Sequence, residues 1–198
     1  MSTTKKTLKL VETSVLVALA FVLSYVRIIT MPMEGSVTLL SMLPIVLIAL
    51  RHGTKWGLGG AFCYALLQLV QSITIGGLFS WGLTPGALIG CILLDYLLPF
   101  TRLGLAGLWR KKGTAGMLFG IVLVMLLRFT CHLLSGAVLF AIITQTVNIF
   151  GIDVVFTNPW LYSACYNGFY MVPELILTLA GTWLLLRIPT AKKYILSV

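Results

Sequence analysis

A chain of 198 residues that is 59% hydrophobic and 10% charged carries more apolar surface than a soluble domain of this size buries. Its mean hydropathy of +1.04 reads as an integral membrane protein, with room for about six helices of roughly 20 residues. The net charge of +9 would suggest nucleic acid for a soluble protein, but the basic residues flank apolar segments, so topology accounts for them and no nucleic-acid partner is expected.

Residues 1–9 form a short basic tail. The first apolar segment covers about 10–29. Ala18-Leu19-Ala20 resembles a signal-peptide cleavage site, yet the apolar run continues past it, so the segment reads as an uncleaved first helix. Ser14 and Ala18, four residues apart, offer a small-residue face for close helix approach, with packing inside the protein as the alternative. MPMEGS (31–36) reads as a short loop. The second segment, 37–50, is short and contains Pro44, so it is expected to tilt, kink or be covered by its neighbours. The third, 56–75, has Gly57, Gly60, Ala61 and Ala65 on a packing face, with Gln68 and Gln71 beyond. A glycine-rich loop with Phe79 and Trp81 leads to the fourth, 85–109, which contains Asp95. The fifth, 115–143, holds Arg128 and His132 one turn apart on a shared face. A polar connection over 145–159 precedes the sixth, 160–186.

The expected architecture is an all-α integral membrane protein: one domain over 1–198 with six transmembrane helices. Lys5, Lys6 and Lys9, then Arg51 and Lys55, then Arg102, Arg110, Lys111 and Lys112, then Arg187, Lys192 and Lys193 occupy alternate connections. That asymmetry predicts that both termini are cytoplasmic. Cys63, Cys91, Cys131 and Cys165 all lie in apolar segments with no CxxC pair, so neither a disulfide framework nor a metal site is indicated.

The sixth segment contains YSACYNGFYMVPE (162–174). Tyr162, Tyr166, Tyr170 and Glu174 recur every four residues and form one slowly drifting helical stripe, with Asn167 beside it. Hydrocarbon cannot satisfy three phenols, an amide and a carboxylate, so the stripe faces other helices or a cavity. Gluing helices together and holding a small, flat, partly charged molecule are the two readings of that stripe. Charges at Asp95, Arg128 and Glu174 must pair, line water or meet a ligand. An Asp95–Arg128 or Glu174–Arg128 pair is the bland expectation. Convergence of Asp95, His132, Tyr162, Asn167 and Glu174 from three helices into a polar pocket is the functional one. No HExxH, GxSxG, GxxxxGK[ST] or metal-spaced His/Cys cluster is present, so neither enzymatic activity nor a cofactor is expected.

LLDYLLPFTRLGLAGLWR (93–110), LRFTCHLLSGAVLF (127–140) and YSACYNG (162–168) resemble the thiamine-specific substrate-binding S component of the energy-coupling factor (ECF) transporters. SMLPIVLIALRHG (41–53) and LVETSVLVALAFVLS (10–24) resemble its first two helices. The resemblance implies a subunit that binds thiamine near the outer face and works with a T component and two cytoplasmic ATPases. The family's pocket carboxylate falls on Asp95, followed by Tyr96, its histidine on His132, its tyrosine on Tyr162 and its asparagine on Asn167. Phe140 stands at a family tryptophan, and Tyr166, Tyr170 and Glu174 form adjoining wall. The T-component motif falls on Ser14 and Ala18. Asp95 is one methylene shorter than the usual Glu, and MPMEGS lacks an expected tryptophan for which Trp81 is the substitute. A related vitamin or pyrimidine precursor, and a self-sufficient secondary transporter, are the alternatives.

Overall fold

The computed structural model describes residues 3–140, 146–149 and 152–197. It is a helical bundle with two small hairpins. Helix α1 (Thr3–Ser24) presents Thr13, Val17, Ala20 and Ser24 to the interior, a three- and four-residue spacing that marks one face. Ser14 and Ala18 lie on its exposed side, so they do not pack within the described protein.

The chain then departs from the expected helix–loop–helix. The first helix stops at Ser24 rather than near 29, and β1 (Arg27–Thr30) pairs antiparallel with β2 (Ser36–Thr38). MPMEGS is thus the tip of a hairpin. Arg27 pairs with Thr38 and Thr30 with Ser36, with a bulge between Arg27 and Ile29. β-Branched Ile28, Ile29, Thr30, Val37 and Thr38 favour this extended backbone over helix.

Helix α2 (Met42–His52) has 11 residues, almost all buried. At 1.5 Å per residue it spans only about 17 Å. It packs on α1, on α3 (Thr54–Gly76) and on the C-terminal part of α4 (Pro85–Trp109). With α5 (Gly113–Phe140) and α6 (Pro159–Arg187), the structure has five helices long and apolar enough to cross a membrane, plus this shorter one. The expected end of the fifth helix, 141–143, and Gln145 lie outside the described residues. Between α5 and α6 runs a second hairpin, β3 (Thr146–Ile149) with β4 (Ile152–Val155). A short α7 (Pro189–Leu196) ends the chain.

Prolines and caps set two boundaries. Thr84 accepts the Ala87 amide at 3.3 Å ahead of Pro85, and Asn158 Oδ1 accepts the Trp160 and Leu161 amides ahead of Pro159. The main core lies among α2, α3, α4 and α5, around Ile45, Ile48, Tyr64, Leu103, Ile121 and Val124. Gly57 and Gly104 are required where α3 crosses α4. A Cβ on Gly104 would lie 2.4 Å from the Gly57 carbonyl carbon.

At the end away from the first hairpin, Glu12 of α1 holds α2. Arg51 donates to Glu12 through Nε at 2.7 Å and Nη2 at 2.8 Å, and His52 Nε2 lies 2.8 Å from the same carboxylate. Arg51 Nη1 reaches the Tyr194 carbonyl, and its guanidinium lies 3.5 Å over the Tyr194 ring, which fixes α7 beneath the bundle.

Candidate functional site

Under the first hairpin, side chains from α3 to α6 line a cavity of about 120 Å³. Asp95, Tyr96, His132, Phe140, Tyr162, Tyr166, Asn167, Tyr170 and Glu174 all border it. Helix geometry explains part of this. α3, α4 and α5 each contain a π-helical turn, at Ser72–Gly76, Ile92–Leu97 and Gly136–Phe140. Such turns shift the phase of a helix and recur at functional positions. In α4 the wide turn lets the adjacent Asp95 and Tyr96 both line the cavity. In α5 it begins at Gly136, where a Cβ would meet Ser163 Oγ at 2.3 Å, so glycine there brings α5 and α6 together.

Asp95 is held by α5. His132 Nδ1 lies 2.9 Å from its Oδ1, and the Ser135 hydroxyl donates to its Oδ2. His132 Nε2 has no hydrogen-bond partner among the described residues, and His132 is buried. Tyr170 meets the His132 ring edge to face at 6.2 Å. Asn167 ties α6 to α5 by donating to the His132 carbonyl at 3.2 Å and the Ser163 carbonyl at 2.9 Å, while Tyr170 donates to its Oδ1 at 2.8 Å. Tyr162 and Tyr166 stack at 6.0 Å. The stripe thus joins helices through Asn167 and Tyr170, and the same side chains border the cavity.

Two members of the stripe, Tyr166 and Glu174, hold the hairpin. The Tyr166 hydroxyl donates to the Pro32 carbonyl and accepts the Gly35 amide at 3.3 Å. Glu174 Oε1 accepts the Thr38 amide at 2.5 Å and the Thr38 hydroxyl at 2.6 Å. The hairpin tip carries non-glycine residues in the left-handed region, Met33 (φ 55°) and Glu34 (φ 67°), and brings Glu34 into the cavity wall. Glu34 lies 3.3 Å from Arg27 and accepts Tyr96 OH at 3.4 Å, and the Tyr96 and Ser72 hydroxyls are hydrogen-bonded at 2.6 Å.

The expected pairing of Arg128 with Asp95 or Glu174 does not form. Asp95 is taken by His132 and Ser135. Arg128 lies 4.7 Å from the Phe100 ring centroid, and its Nε and Nη1 have no hydrogen-bond partner among the described residues. Trp81 lines the cavity 5.9 Å from Phe140, its indole nitrogen donating to the Gly76 carbonyl at 3.1 Å. Sequence reasoning missed Arg27, Glu34 and Thr38, which line the cavity, and Ser72 and Ser135, which hold the lining residues Tyr96 and Asp95 from behind. Ser135 is three residues after His132 and shares its helical face, a signal that was legible. The hairpin residues are brought in by folding of a loop, which leaves no periodic trace. Among the described residues no three His, Cys, Asp or Glu side chains converge as metal ligands.

The same geometry belongs to a known fold. A solved structure described as ThiT from Listeria monocytogenes superposes with a TM-score of 0.73 at 19% identity, covering 96% of this chain and 98% of its own. The thiamine transporter ThiT of Bacillus subtilis is 32% identical over 191 residues, 89% of each chain. That of Lacticaseibacillus paracasei is 25% identical over 200 residues, 93% of this chain and 89% of its own. Residues 10–194 match the family model described as thiamine transporter protein (Thia_YuaJ). This multi-pass membrane protein is therefore a member of the thiamine transporter protein family, a family of transport proteins and not of enzymes.

Proposed function

We propose that the protein binds thiamine from the outer face in the cavity under the first hairpin. It hands the vitamin on as the S component of an ECF importer, with a T component and two cytoplasmic ATPases. The observation that carries the substrate is chemical fit. Glu34, Asp95 and Glu174 against Arg27 and Arg128 leave the cavity wall one negative charge in excess when all five are ionised and His132 is neutral. Thiamine is a flat molecule with one fixed positive charge on its thiazolium and an aminopyrimidine at its other end. Aromatic faces such as Trp81, Phe140 and Tyr162 attract the cation, by about 0.5–2 kcal/mol each. Asp95, oriented by His132 and Ser135, accepts from the amino group as a charge-assisted bond. Asn167 and Tyr162 complete the polar edge, with Tyr96, Tyr166, Tyr170 and Glu174 around them.

In this reading both termini are cytoplasmic and the chain crosses six times. The first hairpin and α2 together make the second crossing, because α2 alone is too short. The exposed Ser14 and Ala18 dock the T component. Titration of the purified protein with thiamine, read by tryptophan fluorescence and checked by calorimetry, tests the substrate. No binding at millimolar thiamine sinks it. Ala18→Trp tests the docking face: uptake in cells should vanish while thiamine binding stays intact. Loss of binding instead would return that face to the internal core.

A further inference from the structure

Two buried charges on the cavity wall have hydrogen-bonding capacity that the described residues do not use. Glu174 is 1% exposed, and its Oε2 has no hydrogen-bond partner among the described residues. Arg128 is 5% exposed, and its Nε and Nη1 have none either. Both border the same cavity, and the guanidinium is close enough to act on the carboxylate electrostatically. Yet among the described residues no ion pair within 4.0 Å joins them. Glu174 is occupied elsewhere: both hydrogen bonds to its Oε1 come from Thr38, the last residue of β2. Thr38 is in turn bonded to Ser41 at 2.6 Å, at the start of α2. Between them lies Leu40 at φ 61°, a left-handed non-glycine residue where the hairpin joins α2. Such a residue marks backbone strain at the joint between hairpin and helix.

We propose that Glu174 is a two-position contact that sets how readily the hairpin opens. With the hairpin down, as here, the carboxylate is held by Thr38. When the hairpin lifts, Thr38 takes both donors away. A carboxylate stripped of donors inside an apolar bundle is costly, and a neighbouring cation with spare N–H groups is the group that can compensate it. Arg128 is that cation. A modest rotation of its long side chain from Phe100 toward Glu174 gives the open form an ion pair that the closed form lacks. Arg128 is on this account a positioning residue: it acts through Glu174 on the hairpin, whatever the ligand.

The test is the distance between spin labels at Ile28 on β1 and Phe79 before α4, both exposed, with exposed Cys63 and Cys165 replaced by Ser. Double electron–electron resonance on ligand-free protein reads the open fraction. Because no ligand is used, the result stands apart from the thiamine assignment. Arg128→Met should lower the open fraction about tenfold or more, since the open form then strands a buried carboxylate. Arg128→Lys, which keeps the charge, should restore most of it. In a Glu174→Gln background, Arg128→Met should have no further effect. Should Arg128→Met not fold, Arg128→Gln is read in the same way. An open fraction that is unchanged or raised by loss of the charge overturns the proposal. So does an effect that persists without the Glu174 carboxylate, or a single closed distance in the unmodified sequence.

Discussion

Arg51 and Arg128 are both buried, and their surroundings differ in kind. Arg51 has every nitrogen engaged: Nε and Nη2 on Glu12, Nη1 on the Tyr194 carbonyl and the Ser197 hydroxyl. It lies against the Tyr194 ring and stitches α1, α2 and α7 into one end of the bundle. Arg128 has two nitrogens without partners, no carboxylate within 4.0 Å among the described residues, and a cavity in front of it. A buried charge with its full set of partners is fastening. One with spare capacity beside a cavity is suited to a change of partner or to a ligand. The same division runs through the acids: Glu12 is saturated by Arg51 and His52, whereas Glu174 keeps one oxygen free.

The sharpest way to break this comparison is to remove Arg51. Arg51→Met leaves Glu12 without its guanidinium and releases α7. Stability should fall by about 3–5 kcal/mol, read by thermal or denaturant unfolding in detergent. Affinity for thiamine in the fraction that remains folded should be unchanged, because the cavity is at the other end. A loss of affinity with stability intact would show that the two ends are not separate in function.

Asp95→Asn attacks the cavity end in the complementary way. It keeps the shape and removes the charge, so thiamine binding should weaken by about 2–5 kcal/mol, some 30- to several-thousand-fold, with folding retained. Unchanged binding would reduce Asp95 to a partner for His132 and Ser135.

A smaller effect belongs to the hairpin clasp. Tyr166→Phe deletes the hydroxyl that meets the Pro32 carbonyl and the Gly35 amide, while the stacking on Tyr162 is kept. Removing such a bond costs about 1–3 kcal/mol, so thiamine dissociation in stopped-flow fluorescence should speed up by roughly 5- to 160-fold. An unaltered rate would mean that Glu174 and Thr38 alone retain the hairpin. The smallest expected effect is on binding in Glu12→Gln, which should leave thiamine affinity within about twofold even as stability drops.

Much of this was legible in the chain itself. Apolar runs of helical length, prolines at 85 and 159 and basic clusters at alternate ends are local properties, because hydrocarbon demands a continuous apolar helix and water demands the charges. The stripe from Tyr162 to Glu174 was legible for the same reason, as polar groups at helical spacing inside an apolar segment. The wide turns in α3, α4 and α5 were not: they add a residue to one turn without altering composition. Nor was the hairpin, since Glu34 and Thr38 reach the cavity only after a stretch read as loop and helix folds back over the bundle. Which partner each buried charge takes was likewise beyond the sequence. Arg128 is one turn from His132 and has two acids within the membrane to choose from, and spacing ranks neither. That choice depends on distances of a few ångströms between helices, and only the packed bundle, with His132 and Ser135 on Asp95 and Thr38 on Glu174, decides it.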